Sequence, residues 1–413
     1  MIKNIQEAYE YLFNKKGLKT SNHLFATLFN KYQNFHLKVR TIHITGTNGK
    51  GSTLTYLATI LKELNYKVGT FTSPHMVVHN DRIQINNQMI SDEDLINYLN
   101  KYQKDFDELK LNMFQIDTFI ALLYFYEKKV DFALIEVGIG GLKDSTNLIY
   151  PICSIITSIS YDHQNLLGNS LEEIAYQKLG IVKPYVPLIC NIKDNKLKNL
   201  AKKVCQDKKS LLIFTSKVEN LHYDLNKLTF KYKDFMISLK KLPIYQSENL
   251  ALVLETYLYL KENNYIKNTS LDFNKTLEKV NFVGRFEYLK ENPYLIIDGA
   301  HNLNGMQMLF KTLKRIKNHS IKILYSACKD KDPNQILTYM FDNFKDITIT
   351  EFDYYRAFKI EDLSEDILKQ VKIIKNYQIA IDELIKSMKN DDILIITGSL
   401  YFISDVRKYL LSK

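Results

Sequence analysis

Apolar positions along the chain change their period in a regular way. At Ile5 to Phe13 and again at Thr20 to Tyr32 they recur at helical spacing, which predicts two amphipathic helices. The run Thr41-Ile42-His43-Ile44-Thr45 then reads as a strand entering a glycine-rich turn, and Thr53 to Leu64 returns to the helical period. Lys67 to Thr72 is the next strand. Ser91 to Phe106 is a helix capped by Ser91, with Asp92, Glu93 and Asp94 in its first turn, where the helix dipole favours acids. Phe114 to Tyr126 is a strongly apolar helix. Asp131 to Val137 and Cys153 to Ser158 are near-continuous apolar runs, as in strands buried on both faces of a parallel sheet. Ser170-Leu171-Glu172-Glu173 matches a capping box and opens a helix with Gln177 and Lys178 in its last turn.

Charged, less periodic sequence follows. Leu211 to Lys240 alternates apolar and polar positions, which suggests a small antiparallel addition, and Ser247 to Leu260 reads as an amphipathic helix. Near Asn281 to Gly284 the α/β rhythm restarts, with strands at Tyr294 to Asp298, Ile321 to Ser326, Ile347 to Glu351 and Ile393 to Thr397 and helices between them. The predicted fold class is α/β. Residues 1–281 form a P-loop-type doubly wound domain with a mainly parallel sheet and the antiparallel addition; residues 282–413 form a smaller Rossmann-like domain.

Composition narrows the class. With 413 residues, 46% of them hydrophobic, the chain has material for well-packed cores. No apolar run approaches a membrane span and the N-terminus lacks a signal-peptide core, so a cytoplasmic protein without a membrane partner is expected. Cys153, Cys190, Cys205 and Cys328 are widely spaced with no C-x-x-C pair, which points to buried thiols. The formal charge of +10 admits nucleic acid or small anionic ligands, but the lysines are scattered and form no block. That scatter favours a solvated basic surface, with no nucleic-acid partner.

Candidate chemistry gathers where strands end. Gly46-Thr47-Asn48-Gly49-Lys50-Gly51-Ser52 holds three of the 14 glycines of the whole chain within six positions, between a strand and a helix. Glycines let backbone N–H groups turn onto an anion, the helix start adds unpaired donors, Lys50 adds a mobile charge, and Ser52 or Thr53 a hydroxyl for magnesium. The spacing departs from the usual P-loop because Gly51 separates the lysine from the hydroxyl. Glu136 ends a strand directly before Gly138-Ile139-Gly140-Gly141, where a carboxylate can meet a nucleotide-bound magnesium. Ser73 and His75 follow the strand after the cradle helix. His163 follows another strand end, and reads as a metal ligand, a catalytic group or a surface residue. In the second half, Arg285 offers a planar fork suited to phosphate or carboxylate. Asp298-Gly299-Ala300-His301 is either a ligand site or a turn with a helix cap.

Taken in order, these pieces resemble the folylpolyglutamate synthase and dihydrofolate synthase family, a branch of the Mur ligases. The likeness runs through the cradle, Thr72-Ser73-Pro74-His75, Asp81-Arg82-Ile83, Glu136-Val137-Gly138-Ile139-Gly140-Gly141, Asp144-Ser145-Thr146-Asn147, Asp162-His163 and Gln177-Lys178-Leu179-Gly180. It continues through Gly284-Arg285-Phe286-Glu287, Asp298-Gly299-Ala300-His301-Asn302, Asp330-Lys331-Asp332 and Thr397-Gly398-Ser399-Leu400. The resemblance implies a monomeric ATP- and magnesium-dependent ligase that phosphorylates a carboxylate of folate or dihydropteroate and lets the amine of L-glutamate attack the acyl phosphate. By the same likeness, Gly49, Lys50, Gly51, Ser52, Asn249, Arg285, Asp298 and His301 bind ATP, with Asn249, Arg285, Asp298 and His301 reaching it from across a domain interface. Ser73, Glu136 and His163 hold the metal; Lys50, Lys178 and His163 are catalytic; and Lys178 corresponds to a carbamylated lysine. His75, Arg82, Phe114, Gln115 and Lys143 are implied for the acceptor.

The departures from the family pattern fall mainly beside the acceptor residues: Leu142 in place of an arginine with Lys143 next to it, Gln115 in place of a frequent glutamate, and Gln177 before the modified lysine. Two alternatives therefore stand beside the leading reading. One is a Mur-type ligase for another carboxylate, against which the Gly-Lys-Gly-Ser cradle argues. The other is a nucleotide-binding regulatory protein whose acceptor site has decayed.

Overall fold

The computed structural model describes residues 1–18, 20–267 and 269–412. The chain divides into two compact units: Met1–Lys217 with Glu248–Val280, and Val218–Ser247 with Asn281–Lys413.

In the first unit the strands are β1 (Thr41–Thr45), β2 (Val68–Phe71), β3 (Ile83–Ile85), β4 (Gln88–Met89), β5 (Phe132–Glu136), β6 (Cys153–Ile156), β7 (Leu188–Cys190) and β8 (Leu212–Phe214). They form one sheet in the order β4-β3-β2-β5-β1-β6-β7-β8. All neighbours are parallel except the β2-β3-β4 edge. β1 and β5 are buried at every position, which explains why their sequences do not alternate. The helices that position the site are α1 (Ile5–Asn14), α2 (Asn22–Lys31), α3 (Lys50–Glu63), α4 (Asp92–Glu108), α5 (Met113–Glu127), α6 (Gln164–Leu167), α7 (Leu171–Leu179), α8 (Asn195–Asp207) and α9 (Gln246–Glu262). The expected capping box at Ser170 is present, with Glu173 answering the Ser170 hydroxyl.

The second unit has a three-stranded antiparallel sheet, β9 (Glu219–Asp224), β10 (Lys227–Tyr232) and β11 (Phe235–Lys240). Its six-stranded sheet is built from β12 (Glu287–Glu291), β13 (Tyr294–Asp298), β14 (Ile321–Tyr325), β15 (Ile347–Glu351), β16 (Lys372–Asn376) and β17 (Ile393–Thr397), in the order β12-β13-β17-β14-β15-β16. Only β12 runs antiparallel to its neighbour.

Two expectations change. The antiparallel addition, read from sequence as part of residues 1–281, groups with the second unit: Leu225 packs in its core and accepts a hydrogen bond from the Tyr288 hydroxyl at 2.8 Å. Leu212 to Phe214, placed in that addition, instead supplies the parallel edge strand β8.

Candidate active site

The four strands β2-β5-β1-β6 are consecutive in the first sheet, and the chain leaves β1 toward β2 on one side and later returns to β6 on the other. Such a reversal opens a crevice at the C-terminal strand ends. The residues singled out in the sequence follow these ends: Gly46 to Ser52 after β1, Ser73 after β2, Glu136 on β5, and His163 beyond β6.

The cradle begins with Gly46, where a Cβ would stand 1.9 Å from Thr157 Oγ1. Gly49, the cap of α3, has φ +86°, and a Cβ there would stand 2.4 Å from Asn249 Oδ1. Neither position admits a side chain. Lys50 donates from Nζ to Gly46 O at 3.1 Å and Thr47 O at 3.3 Å, so its ammonium lies over the loop that carries it. Asn249 thus lies against the cradle from α9, within the first unit. This corrects the expectation that it reaches the nucleotide from the other domain.

Sequence reasoning missed what fixes the loop from behind. Ser158 Oγ accepts from Asn48 N at 2.9 Å and donates to Asn48 O at 3.0 Å, and Thr157 Oγ1 donates to the same carbonyl at 2.6 Å. Thr47 N donates to Ser158 O at 2.9 Å, and Ser160 N to Thr47 Oγ1 at 3.0 Å. Hydroxyls directly beyond an apolar strand were the available signal, and they bind the cradle's outer edge so that its inner N–H groups keep their aim.

Glu136 is 4% exposed; its Oε2 accepts from Ser73 N at 3.3 Å and lies 3.8 Å from where a Cβ on Gly51 would be. Among the described residues no three His, Cys, Asp or Glu side chains gather into a ready-made metal cage. One carboxylate beside a phosphate cradle, with the Ser52 and Ser73 hydroxyls near in sequence to its partners, nevertheless suits magnesium, which keeps waters and phosphate oxygens as ligands. His163 caps α6 in the left-handed region, φ +50°, an uncommon conformation for a residue with a side chain. Its Nε2 lies 3.8 Å from Asp162 Oδ1.

Lys178 is buried at 3% exposure in the last turn of α7. Burial, aided by the charge of Lys50 and opposed by Asp162, lowers its amine from the ordinary 10.5 to about 7. Two of the predicted catalytic lysines therefore feel each other's charge. The link is the loop after β5: Thr45 Oγ1 donates to Gly140 O at 2.6 Å, and Leu142 N donates to Gln177 O at 2.7 Å. A Cβ on Gly141 would meet the Gln177 carbonyl at 2.9 Å, so only glycine lets α7 approach. Asp144 closes the loop by accepting from Ile139 N and Thr146 N, each at 3.0 Å.

The acceptor candidates separate. Phe114 is half-buried, stacked 5.6 Å from Phe71 and against Gly138. His75 lies on the loop after β2, and Lys143 is exposed. Gln115 is a correction: 1% exposed, it bonds Asn112 N through Oε1 at 3.1 Å and Thr20 O through Nε2 at 3.2 Å, so its amide closes a capping box and is spent inside the fold. Arg82 is a second correction, since it is 6% exposed and turned inward to His75 and Asp117.

In the second unit, Arg285 lies over Gly299, with Nη1 3.0 Å from a Cβ built there. Asp298 accepts from the Tyr245 hydroxyl at 2.7 Å and from Phe286 N and Ala300 N at 2.9 Å each. Burial raises its carboxyl, opposed by the Tyr245 bond and by Arg285. It thus braces the backbone around Arg285 and His301. His301 Nδ1 donates to Gly299 O at 2.8 Å, which puts the neutral ring's proton on Nδ1.

Residues 44–256 match the Mur ligase middle domain, and residues 284–400 the Mur ligase, glutamate ligase domain. The chain is 34% identical to the dihydrofolate synthase/folylpolyglutamate synthase of Bacillus subtilis (strain 168), over 96% of this chain and 95% of that protein. Its structure is similar to the folylpolyglutamate synthase of Thermotoga maritima, with TM-score 0.80 and 28% identity over 99% of this chain and 97% of that one. An FPGS–AMPPCP complex is similar at TM-score 0.83 and 27% identity, over 99% of this chain and all of the other, 100%. Through both units, then, this chain belongs to the folylpolyglutamate synthase and dihydrofolate synthase family of Mur ligases.

Proposed function

We infer that the protein is an ATP-dependent amide ligase that joins L-glutamate to the carboxylate of a folate or of dihydropteroate through an acyl phosphate. The observation that carries this reading is the meeting of the glycine cradle, Lys50 and Glu136 at adjacent strand ends, with Lys178 of α7 near enough to feel the Lys50 charge. A carboxylate has no leaving group, and phosphoryl transfer from ATP makes one. The site's work is then to position the reactants and offset charge.

In this reading Gly49, Gly51 and Ser52 present backbone N–H groups to the triphosphate, and Lys50 leaves its loop carbonyls for the transferring phosphoryl group. Glu136, Ser73 and His163 would hold magnesium, which when bound offsets phosphate charge. Arg285 and His301 are assigned nucleotide contacts, with Asp298 bracing them. His75, Phe114 and Lys143 are assigned to the acceptor. The protein is proposed to act as a cytoplasmic monomer; among the described residues no helix is long and apolar enough to cross a membrane.

Lys178 is assigned a carbamate. Its amine, held at about 7, is largely neutral above that pH, and only a neutral amine attacks carbon dioxide, forming the N–C bond and releasing a proton. Activity of protein depleted of carbon dioxide should therefore recover at pH 8 and much less at pH 6 when bicarbonate is added to give the same dissolved carbon dioxide at both, with about a tenfold difference in neutral amine per pH unit below 7. Lys178→Ala should be slow at any bicarbonate concentration. Equal recovery at both pH values removes the carbamate from the account.

The test of the function is ADP release with ATP, magnesium and glutamate, comparing dihydropteroate with a reduced folate. Stimulation by dihydropteroate alone identifies a dihydrofolate synthase, and by both a bifunctional enzyme. Release that no acceptor stimulates rejects the ligase reading in favour of a nucleotide-binding protein.

A further inference from the structure

Away from the cradle, the polar group hardest to explain as packing is Asp117. It lies within α5, whose residues Gln115 to Phe125 are all buried, and is itself 1% exposed. A carboxylate there is costly unless it is paired. His79 Nε2 stands 2.8 Å from Oδ1, and Arg82 Nη1 3.7 Å from Oδ2, which has no hydrogen-bond partner among the described residues. Burial raises the carboxyl, but the charges of His79 and Arg82 outweigh it and hold the group below the usual carboxylate range.

The chain of contacts continues outward. Arg82 Nε lies 3.3 Å from His75 Nδ1. A guanidinium only donates, so His75 Nδ1 must accept, and the neutral ring carries its proton on Nε2. Phe13 of α1 packs beside both histidines, at 6.4 Å from His75 and 6.1 Å from His79. The loop itself is held at two ends: Ser73 N bonds Glu136, while Asp81 accepts from Met76 N at 2.9 Å and Val77 N at 2.8 Å. Residues 73 to 82 are thereby stretched between the cradle's carboxylate and that of α5.

We propose that Asp117 is a positioning residue for the acceptor: through Arg82 it fixes the His75 tautomer, so that an Nε2–H donor is offered to an oxygen of the acceptor before it binds. The proposal rests on the reading of His75 as an acceptor contact. It gives Arg82, turned away from solvent, a part in recognition without touching substrate.

The experiment compares wild type, Asp117→Asn, Arg82→Lys and His75→Ala in steady-state ligation, with nitrogen NMR of the full-length histidine-labelled protein. Asp117→Asn should raise the acceptor KM about tenfold, as expected for a lost charge-assisted contact, with the ATP KM changed less than about twofold. The His75 signal should move from the Nε2–H pattern toward a mixture of tautomers. Arg82→Lys keeps the charge and removes the Nε donor, so it should reproduce both changes, and it serves if Asp117→Asn does not fold. If His75→Ala raises the acceptor KM while Asp117→Asn and Arg82→Lys leave both KM and tautomer unchanged, the proposal is overturned and the site reading survives. If His75→Ala leaves the acceptor KM unchanged, the site reading is wrong and the proposal goes with it.

Discussion

Lys50→Ala should lower the ligation rate by about a thousandfold, the scale of losing a cation that meets developing phosphoryl charge. The argument is geometric. Lys50 opens α3, its neighbours Gly49 and Gly51 leave the backbone bare, and its Nζ is held over Gly46 and Thr47 by two carbonyls. Those bonds are neutral acceptors at 3.1 and 3.3 Å, easily exchanged for phosphate oxygens that carry charge. Pre-steady-state ADP formation is the measurement, because it isolates phosphoryl transfer from product release. Turnover should fall more than ATP affinity, since the charge matters most where it develops. A wild-type burst in Lys50→Ala would take the cradle out of the chemistry.

Gly49→Ala is expected to be nearly as severe, by a different route. At φ +86° an alanine pays about 1 kcal/mol of backbone strain, and its Cβ would stand 2.4 Å from Asn249 Oδ1. One of the two must move. Because Gly49 caps α3, the displaced atoms are the N–H groups proposed to receive phosphate, and ATP affinity should fall by about a hundredfold. Isothermal titration with a non-hydrolysable ATP analogue reads this directly. Adding Asn249→Ala should recover part of the affinity by removing the clash and leaving the strain. No recovery would assign the whole effect to backbone conformation, and unchanged affinity in Gly49→Ala would contradict the cradle's geometry.

The elements that declared themselves in the sequence are those in which one residue type does one job. β1 and β5 are buried on both faces, so their apolar runs are unbroken, and the loops after them need glycine for close approach. The cradle and Glu136 could be read for that reason. α8 was passed over because its buried face is the narrow stripe Leu197, Ala201 and Cys205, set among lysines. β7 and the edge strand β8 are three residues each, too short for a period to appear. The hairpins β9 to β11 were recognisable as antiparallel, but nothing local says that Leu225 packs with Phe286 and Tyr288, which lie some sixty residues further on in the chain.

Site residues divide in the same way. Gln115 and Arg82 occupy positions that the family likeness assigns to the acceptor, yet their side chains are consumed inside the fold, one in a capping box and the other between His75 and Asp117. Ser158 and Asp117 went unnoticed because their importance lies in partners more than 30 positions distant, Asn48 in one case and Arg82 in the other. Such supports are invisible to motif reading, which sees the loop that binds and not what holds it.

The central claim is that the acceptor's carboxylate is activated as an acyl phosphate. The most direct test supplies the acceptor with heavy oxygen in that carboxylate and follows the label by mass spectrometry of released phosphate. Transfer of one carboxylate oxygen to phosphorus, and its departure when glutamate's amine attacks, predicts one labelled oxygen in each phosphate formed with product. Phosphate free of label, alongside amide product, would contradict the account.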